Sequence, residues 1–399
     1  MSEQTRYGMP KEVVFCRRCV ISNQRPGSNL EFKNPSLKRT GISIDSSGVC
    51  DACKVASLKN DVDWEARERS LMKILDGYRS KDGSYDVVVP SSGGKDSSFT
   101  AHILKEKYGM NPLCVTWAPM IWTEDGWCNF DNLSRIGGVD SLLITPNGNV
   151  HRFLTREAFI NLGHPFQPFI HGQKIVGPKI AKTFGIKLVM YGESPAEYGN
   201  NASEFGETTM STSFFSHDNP LDMLLGGRSL KNLLELSPFT YEEFSNYIPL
   251  TTDEISRAQI QQTYLGYFER WNPQEIYYYA TQNTGFEPAQ QRSPGTYSRY
   301  SEIDDKFIPL NFYMMYLKFG LGRTSYEAAQ EIRNGQISRE EGVRLVRKFD
   351  GELDELWQKE CLEYLNFSSE EFAVIANGFR PEHLWIEEQG EYRLREVIS

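Results

Sequence analysis

Ser91-Ser92-Gly93-Gly94-Lys95-Asp96-Ser97-Ser98 is the stretch that decides the fold, because of what flanks it. Before it, Tyr85-Asp86-Val87-Val88-Val89-Pro90 reads as a buried strand; after it, Ser97 to Tyr108 reads as a helix. Two glycines let the backbone turn sharply and bring N–H groups close to an anion. The following helix adds the positive end of its dipole, and the serine hydroxyls and Lys95 add donors. A carboxylate at Asp96 would repel that anion unless a cation mediates, so Asp96 is assigned to Mg²⁺. The spacing fits neither G-x-x-x-x-G-K-[ST], since position 89 is Val and position 96 is Asp, nor G-x-G-x-x-G.

Outward from the loop the pattern repeats. Strands are expected at Pro112–Trp117, Asp140–Thr145 and Lys187–Tyr191, with helical segments near 152–162 and 172–184. Apolar strands separated by helices argue for a parallel sheet covered on both faces, an α/β domain over 62–250. Ligands of such sheets bind beyond the carboxyl ends of the strands, which nominates Trp117, Gly192 and Glu193 beside the loop. After Pro249 the strand signal vanishes, and Thr252 to Arg270 reads as helix. Asn272-Pro273, Ser325 to Asn334, Ser338-Arg339-Glu340-Glu341 and Ser368 to Ala376 mark further helices, so 251–399 is expected to be α-helical.

Residues 1–61 are poor in apolar periodicity and hold four of the seven cysteines, as Cys16-Arg17-Arg18-Cys19 and Cys50-Asp51-Ala52-Cys53. Two C-x-x-C knuckles suit tetrahedral Zn²⁺, whose binding would supply folding energy that this segment otherwise lacks. An iron–sulfur cluster or a redox dithiol is the alternative. The net charge of −10 and the absence of a Lys/Arg run argue against a nucleic-acid partner. No stretch approaches the roughly 20 apolar residues of a membrane span. Met1-Ser2-Glu3-Gln4-Thr5-Arg6 leads into no apolar region, and a cytoplasmic location is expected. The chain shows no glutaminase signature of its own. It starts Met1-Ser2, and Cys114, Cys128 and Cys361 stand in no Gly-flanked elbow. Cys114 reads as core, and His164 and His171, near Pro and Phe, as packing histidines.

Residues 92–97 resemble the S-G-G-x-D-S loop of the PP-loop ATP pyrophosphatases at every fixed position. That resemblance implies ATP bound through Ser91–Ser98, release of pyrophosphate and transfer of AMP to a substrate. Further stretches resemble the bacterial N-acetyl sugar amidotransferases, the WbpG and PseA group of surface-polysaccharide biosynthesis. They are Trp127-Cys128-Asn129-Phe130-Asp131-Asn132, Leu162-Gly163-His164-Pro165-Phe166, Tyr264-Leu265-Gly266-Tyr267-Phe268, Gly295-Thr296-Tyr297-Ser298-Arg299-Tyr300, Ile303-Asp304-Asp305-Lys306 and Lys318-Phe319-Gly320-Leu321-Gly322-Arg323. The family implication is conversion of an acetamido group on a nucleotide-linked sugar, such as a UDP-linked uronic acid, to an acetamidino group. Ammonia would come from a HisH-like glutaminase through a HisF-like partner, in keeping with the missing glutaminase. Lys95, Asp96, Glu193 and Arg323 are the expected catalytic residues, with Arg323 gripping a phosphate or uronate. Asp304 and Asp305 would orient ammonia or bind sugar hydroxyls, and Tyr297 would hydrogen-bond the sugar. A tRNA-thiolating PP-loop enzyme and a nucleotide-binding scaffold are the competing readings.

Overall fold

A computed structural model describes residues 5–27, 41–194, 206, 208–353 and 355–399; residues 1–4, quoted above for the start of the chain, lie outside the described residues. Five strands form one parallel sheet: β1 (Val87–Pro90), β2 (Pro112–Trp117), β3 (Asp140–Ile144), β4 (Leu188–Tyr191) and β7 (Gln261–Tyr264). Their order is β3-β2-β1-β4-β7, and every pairing is parallel. The two-residue strands β5 (Leu224–Leu225) and β6 (Arg228–Ser229) make a small hairpin between β4 and β7.

Alternation along β1 sends its valines to two cores. Val87 and Val89 pack with Leu71 and Leu75 of α2 (Trp64–Tyr78), Ala101 and Leu104 of α3 (Lys95–Glu106), and Ile276 further on. Val88 faces the opposite core with Val150 and Leu154 of α5 (Gly148–Leu162) and Val176 and Ala181 of α6 (Gln167–Phe184). The central strand β1 is therefore buried on both faces, as its apolar sequence requires. Between β2 and β3 lies α4 (Glu124–Arg135), capped by the Thr123 hydroxyl, which accepts from Gly126 N–H.

The four strands expected from sequence are present, but the helix expected over Thr252–Arg270 is not one helix. It divides into α8 (Thr252–Ala258), strand β7 and the short α9 (Leu265–Phe268). The break follows Ala258, where Gln259 adopts a left-handed conformation with φ 55°. Gln261-Gln262-Thr263-Tyr264 then adds to the edge of β4, paired from Leu188–Gln261 to Tyr191–Tyr264. The fifth strand thus lies past residue 250, where the helical region was expected to begin. Its polar composition, with two glutamines and a threonine, hid it from a search for apolar runs.

After α7 (Leu230–Leu236) come α10 (Pro273–Asn283), α11 (Ile308–Phe319), α12 (Arg323–Arg333), α13 (Arg339–Phe349), α14 (Gln358–Leu365) and α15 (Ser369–Asn377). Of these seven helices, four lie where the sequence reading expects them, and α7, α11 and α14 were not foreseen. Pro273 occupies the first turn of α10. Reciprocal capping boxes start α13 (Ser338 with Glu341) and α15 (Ser368 with Glu371). A second departure from the all-helical expectation is the antiparallel hairpin of β8 (Trp385–Glu388) and β9 (Glu391–Leu394). Leu310, Met314 and Leu317 of α11 and Cys361 and Leu365 of α14 share one core with β2, α5 and α6, so the helical region is built onto the sheet. Among the described residues, no helix is long and apolar enough to cross a membrane.

Candidate functional site

The loop occupies the carboxyl end of the central strand β1, between β2 and β4, where the strand order reverses. That is the position at which open α/β sheets bind ligands. Gly93 has φ 82°, and an added Cβ would lie 2.5 Å from Phe130 N and 2.6 Å from Phe130 Cα. Only glycine fits here, because the backbone of α4 passes directly over the loop. The hydroxyls stitch the turn: Ser91 donates to Ser97 Oγ at 3.0 Å, Ser97 to Gly94 O at 3.1 Å, and Ser98 to Gly93 O at 3.2 Å. Gly94 caps α3 with no side-chain hydrogen bond, leaving the helix amides to an anion. Lys95, only 5% exposed, donates to Asp96 Oδ2. Asp96 Oδ1 is buried without a hydrogen-bond partner, a donor atom that a cation would satisfy. Gly93→Ala is expected to cost at least about 2 kcal/mol through strain and overlap with α4; a denaturant titration with an unchanged midpoint would contradict this packing.

Residues from the helical half reach the loop. Thr123 N–H donates to Asp304 O at 3.1 Å, Lys306 N–H to Ile121 O at 2.9 Å, and Trp122 bridges Asp305. A Cβ at Gly126 would stand 2.4 Å from Asp304 Cα, so α4 is glycine where this segment crosses it. Asn129 and Asn132 of α4 bind the same half further back, Asn129 donating to Glu287 O at 2.9 Å and Asn132 to Gly285 O at 2.8 Å. Their stretch, quoted above for its resemblance, is thus a docking seam.

Arg323 fixes this segment from behind. It is 1% exposed and donates to Ser293 Oγ at 2.8 Å, Glu327 Oε1 at 3.1 Å, Glu302 O at 3.1 Å and Ser301 O. Asp305, also 1% exposed, accepts from Met120 N–H at 2.6 Å and Phe307 N–H at 2.9 Å. Burial pushes its carboxyl from 3.8 up to about 7. The folded chain therefore holds a proton there that the unfolded chain has lost. This contribution is fully present below 3.8, declines as pH rises, and is gone above about 7. Asp305→Asn should flatten that part of a plot of unfolding midpoint against pH; an unchanged slope would contradict it.

Between Arg323 and the loop stands Glu302, which the sequence did not single out. Its φ of 46° is left-handed for a non-glycine residue, a cost of order 1 kcal/mol that the Arg323 bonds to neighbouring carbonyls help sustain. The residue is open to solvent yet hemmed in by protein, as a crevice residue is. Burial among those neighbours pushes its carboxyl up to about 7, opposed by Arg323 and Lys95 and assisted by Glu327 and Asp304. Burial likewise raises Asp304, against a hydrogen bond with Ser92. Nothing local in Ser301-Glu302-Ile303 signals a left-handed glutamate, and only the fold brings it near residue 95.

Several nominated residues are placed elsewhere. Trp117 is 2% exposed, its ring lying against Gly172 of α6 and edge-on to Tyr247 at 5.2 Å, inside the core. A Cβ at Gly192 would meet Trp271 at 2.7 Å and Thr100 at 2.8 Å, and its carbonyl accepts from Gly266 N–H at 2.8 Å, so this glycine serves packing. Ser98 is 1% exposed, its hydroxyl spent on the loop carbonyl. Arg323 and Asp305 are internal clamps, and Tyr297 donates to Glu331 Oε2 at 2.7 Å. Glu193 stands beyond β4, within electrostatic reach of Lys174. His164 pairs with Asn311 at 2.9 Å and His171 with Tyr247 O at 2.8 Å, as packing histidines. Cys114 is fully buried in the sheet.

The cysteines converge as their spacing predicts. The ligand atoms of Cys16, Cys19, Cys50 and Cys53 lie within 4.8 Å of one another, with Cys16–Cys53 at 3.9 Å and Cys19–Cys50 at 3.7 Å. A tetrahedron with Zn–S bonds of about 2.3 Å separates its sulfurs by about 3.8 Å, so the set suggests a metal such as zinc. Hydrogen bonds first from Cys19, then from Cys50 and Cys53, hold the Cys16 thiol well below its ordinary range. The knuckles join Val20, Ile21 and Ile42 in a small core against Ala328 and Ala329 of α12 and Val343 and Val346 of α13.

Fold and loop together make a parallel α/β unit with a glycine-rich, anion-suited loop at its switch point and a four-cysteine cluster beside it. Residues 294–398 match the family described as LPS biosynthesis protein WbpG-like, C-terminal domain. The chain thus carries a WbpG-like C-terminal domain, and this is the part that brings Glu302 and Asp304 to the loop. An uncharacterized protein of Methanocaldococcus jannaschii is 28% identical over 103 residues, and the chain spans 37% of that protein's length and 26% of its own. NMN synthetase from Francisella tularensis is a similar solved structure at 11% identity and TM-score 0.30, covering 77% of this chain and 98% of that one. U34-tRNA thiolase NcsA from Methanococcus maripaludis, solved with its 4Fe–4S cluster, is similar at 13% identity and TM-score 0.30, covering 86% and 95%.

Proposed function

We propose that this chain is an ATP-dependent amidotransferase of bacterial surface-polysaccharide (LPS O-antigen) biosynthesis. It adenylates the acetamido oxygen of a nucleotide-linked N-acetyl sugar and replaces that oxygen with ammonia. The observation that carries this reading is the juxtaposition of the Ser92–Ser97 loop with an acidic segment of the WbpG-like domain, Glu302 to Asp305.

An amide carbonyl is a poor electrophile, and its oxygen leaves badly. Attack of that oxygen on the α-phosphate of ATP forms a C–O–P bond and expels pyrophosphate. The loop amides, Ser92 and Lys95 hold the departing diphosphate through dipole and charge, and Ser97 holds the turn in shape. Asp96, with one oxygen lacking a partner, would hold Mg²⁺, which neutralises phosphate charge when bound. Glu193, just beyond the end of β4, is assigned to a sugar hydroxyl. Ammonia then adds to the activated carbon, AMP leaves with the former carbonyl oxygen, and a proton is lost to give C=NH. Glu302 takes that proton. Cys16, Cys19, Cys50 and Cys53 hold Zn²⁺ as a structural centre. With no glutaminase motif in the chain, ammonia is assigned to a HisH-like glutaminase and a HisF-like conducting partner. The acidic balance of the chain fits a sugar substrate better than RNA, in a cytoplasmic setting.

Two experiments bear on this. With a UDP-linked N-acetyl sugar carrying oxygen-18 in its acetamido group, the label should appear in AMP, and the sugar product should be lighter by the difference between O and NH; label retained in the sugar would end the proposal. Glu302→Gln should slow ammonium-dependent turnover by about 10²-fold or more. At constant free-ammonia concentration it should also remove the loss of activity expected in the parent as pH falls through about 7, the range of the Glu302 carboxyl. An unaltered pH profile would strip Glu302 of that role.

A further inference from the structure

A second anion site, away from the loop, is what the geometry points to: a cavity at the junction of the cysteine module, the α/β unit and the C-terminal domain that takes a compact phosphate- or diphosphate-bearing anion. The cavity holds about 190 Å³ and is lined by Arg18, Lys59, Arg270 and Arg333 together with Cys53 of the four-cysteine set, with no Asp or Glu among the described lining residues. In a chain with 53 acidic and 43 basic residues, three arginines around one cavity with no carboxylate among the described lining residues run against the background.

Two of the guanidinium groups are oriented by neutral oxygens, which leave their charge uncompensated. Arg18 Nη1 donates to Ser57 Oγ at 2.7 Å, and Arg270 Nη2 to Asn60 Oδ1 at 3.2 Å. Trp271 lines the same cavity, is 1% exposed, and its indole N–H is buried without a partner. An unsatisfied buried donor among cations is what an anion would complete. The forked geometry of the arginines suits phosphate oxygens. Each of the three parts of the chain contributes a cation, so an occupant would tie them together.

One competing account is internal. Arg333 also lies within electrostatic reach of Cys19 and of buried Arg25, so these cations could serve only to balance four thiolates. The experiment separates the two. Calorimetry of the full chain with inorganic pyrophosphate, without Mg²⁺ and at low salt, should find two sites. Lys95→Ala should silence the loop and keep the second. Adding Arg270→Gln and Arg333→Gln should weaken that second site by about tenfold or more, with bound metal unchanged. Arg270→Gln alone, which keeps a donor for Asn60, should give a smaller loss of the same sign and guards against misfolding of the combined variant. No binding to Lys95→Ala, or binding unaffected by the arginine changes while metal content falls, would overturn the second site.

Discussion

Asp96→Ala is expected to lower pyrophosphate release from ATP by about 10³-fold or more, and to abolish its dependence on Mg²⁺. The residue is placed for this by three features together. It begins α3 at the mouth of the sheet, one of its oxygens accepts from Lys95, and the other is buried without a partner. An orphaned carboxylate oxygen costs about 1–3 kcal/mol, and a strand–loop–helix turn has no structural use for it. Alanine removes that cost but leaves Lys95, itself buried, without its counter-ion. The two effects oppose, so stability should change by no more than about 2 kcal/mol. Retained Mg²⁺-dependent release by a folded Asp96→Ala protein would remove Asp96 from metal binding.

Loss of the metal should have the other large effect. The preparation is expected to contain about one zinc per chain, and Cys50→Ser or a strong chelator should release it. Apparent binding energies of structural zinc reach about 10 kcal/mol or more, and the described residues of this segment, 5–27 and 41–61, have little else to fold around. Their small core is four cysteines, a few aliphatic residues and the faces of α12 and α13. Metal loss should therefore open the module, expose Val343 and Val346, and make the first sixty residues the earliest site of proteolysis. The thiols report the same event: all four are at most 3% exposed, so they should resist alkylation until the metal is removed. A stable, metal-free preparation with protected thiols would contradict the assignment.

The parts of this molecule that follow local rules were legible in the sequence. β1 with its loop and α3, the capping boxes at Ser338 and Ser368, Pro273 opening α10 and the convergence of four cysteines each depend on residues a few positions apart or on ligand chemistry. What failed was set by tertiary contact. β7 is a strand because β4 offers it an unpaired edge, although Gln261 and Gln262 carry no apolar signal. Arg323 drew attention as a cation in a glycine-rich stretch, and Trp117 as a residue at a strand end. The first is spent on the carbonyls of Ser301 and Glu302, and the second lies under Gly172. Glu302 was passed over for the converse reason. Its position depends on a left-handed backbone angle and a crossing of α4, neither of which one sequence displays.

Pyrophosphate release from ATP in the presence of ammonium tests the central claim most directly, with UDP- and CMP-linked N-acetyl sugars and bulk tRNA supplied as separate acceptors. The account predicts release stimulated by one of the sugars, dependent on Asp96, and accompanied by a sugar product in which C=O has become C=NH. Release stimulated only by tRNA would contradict it, keeping the adenylating loop but assigning the WbpG-like domain and its acidic segment to a different substrate.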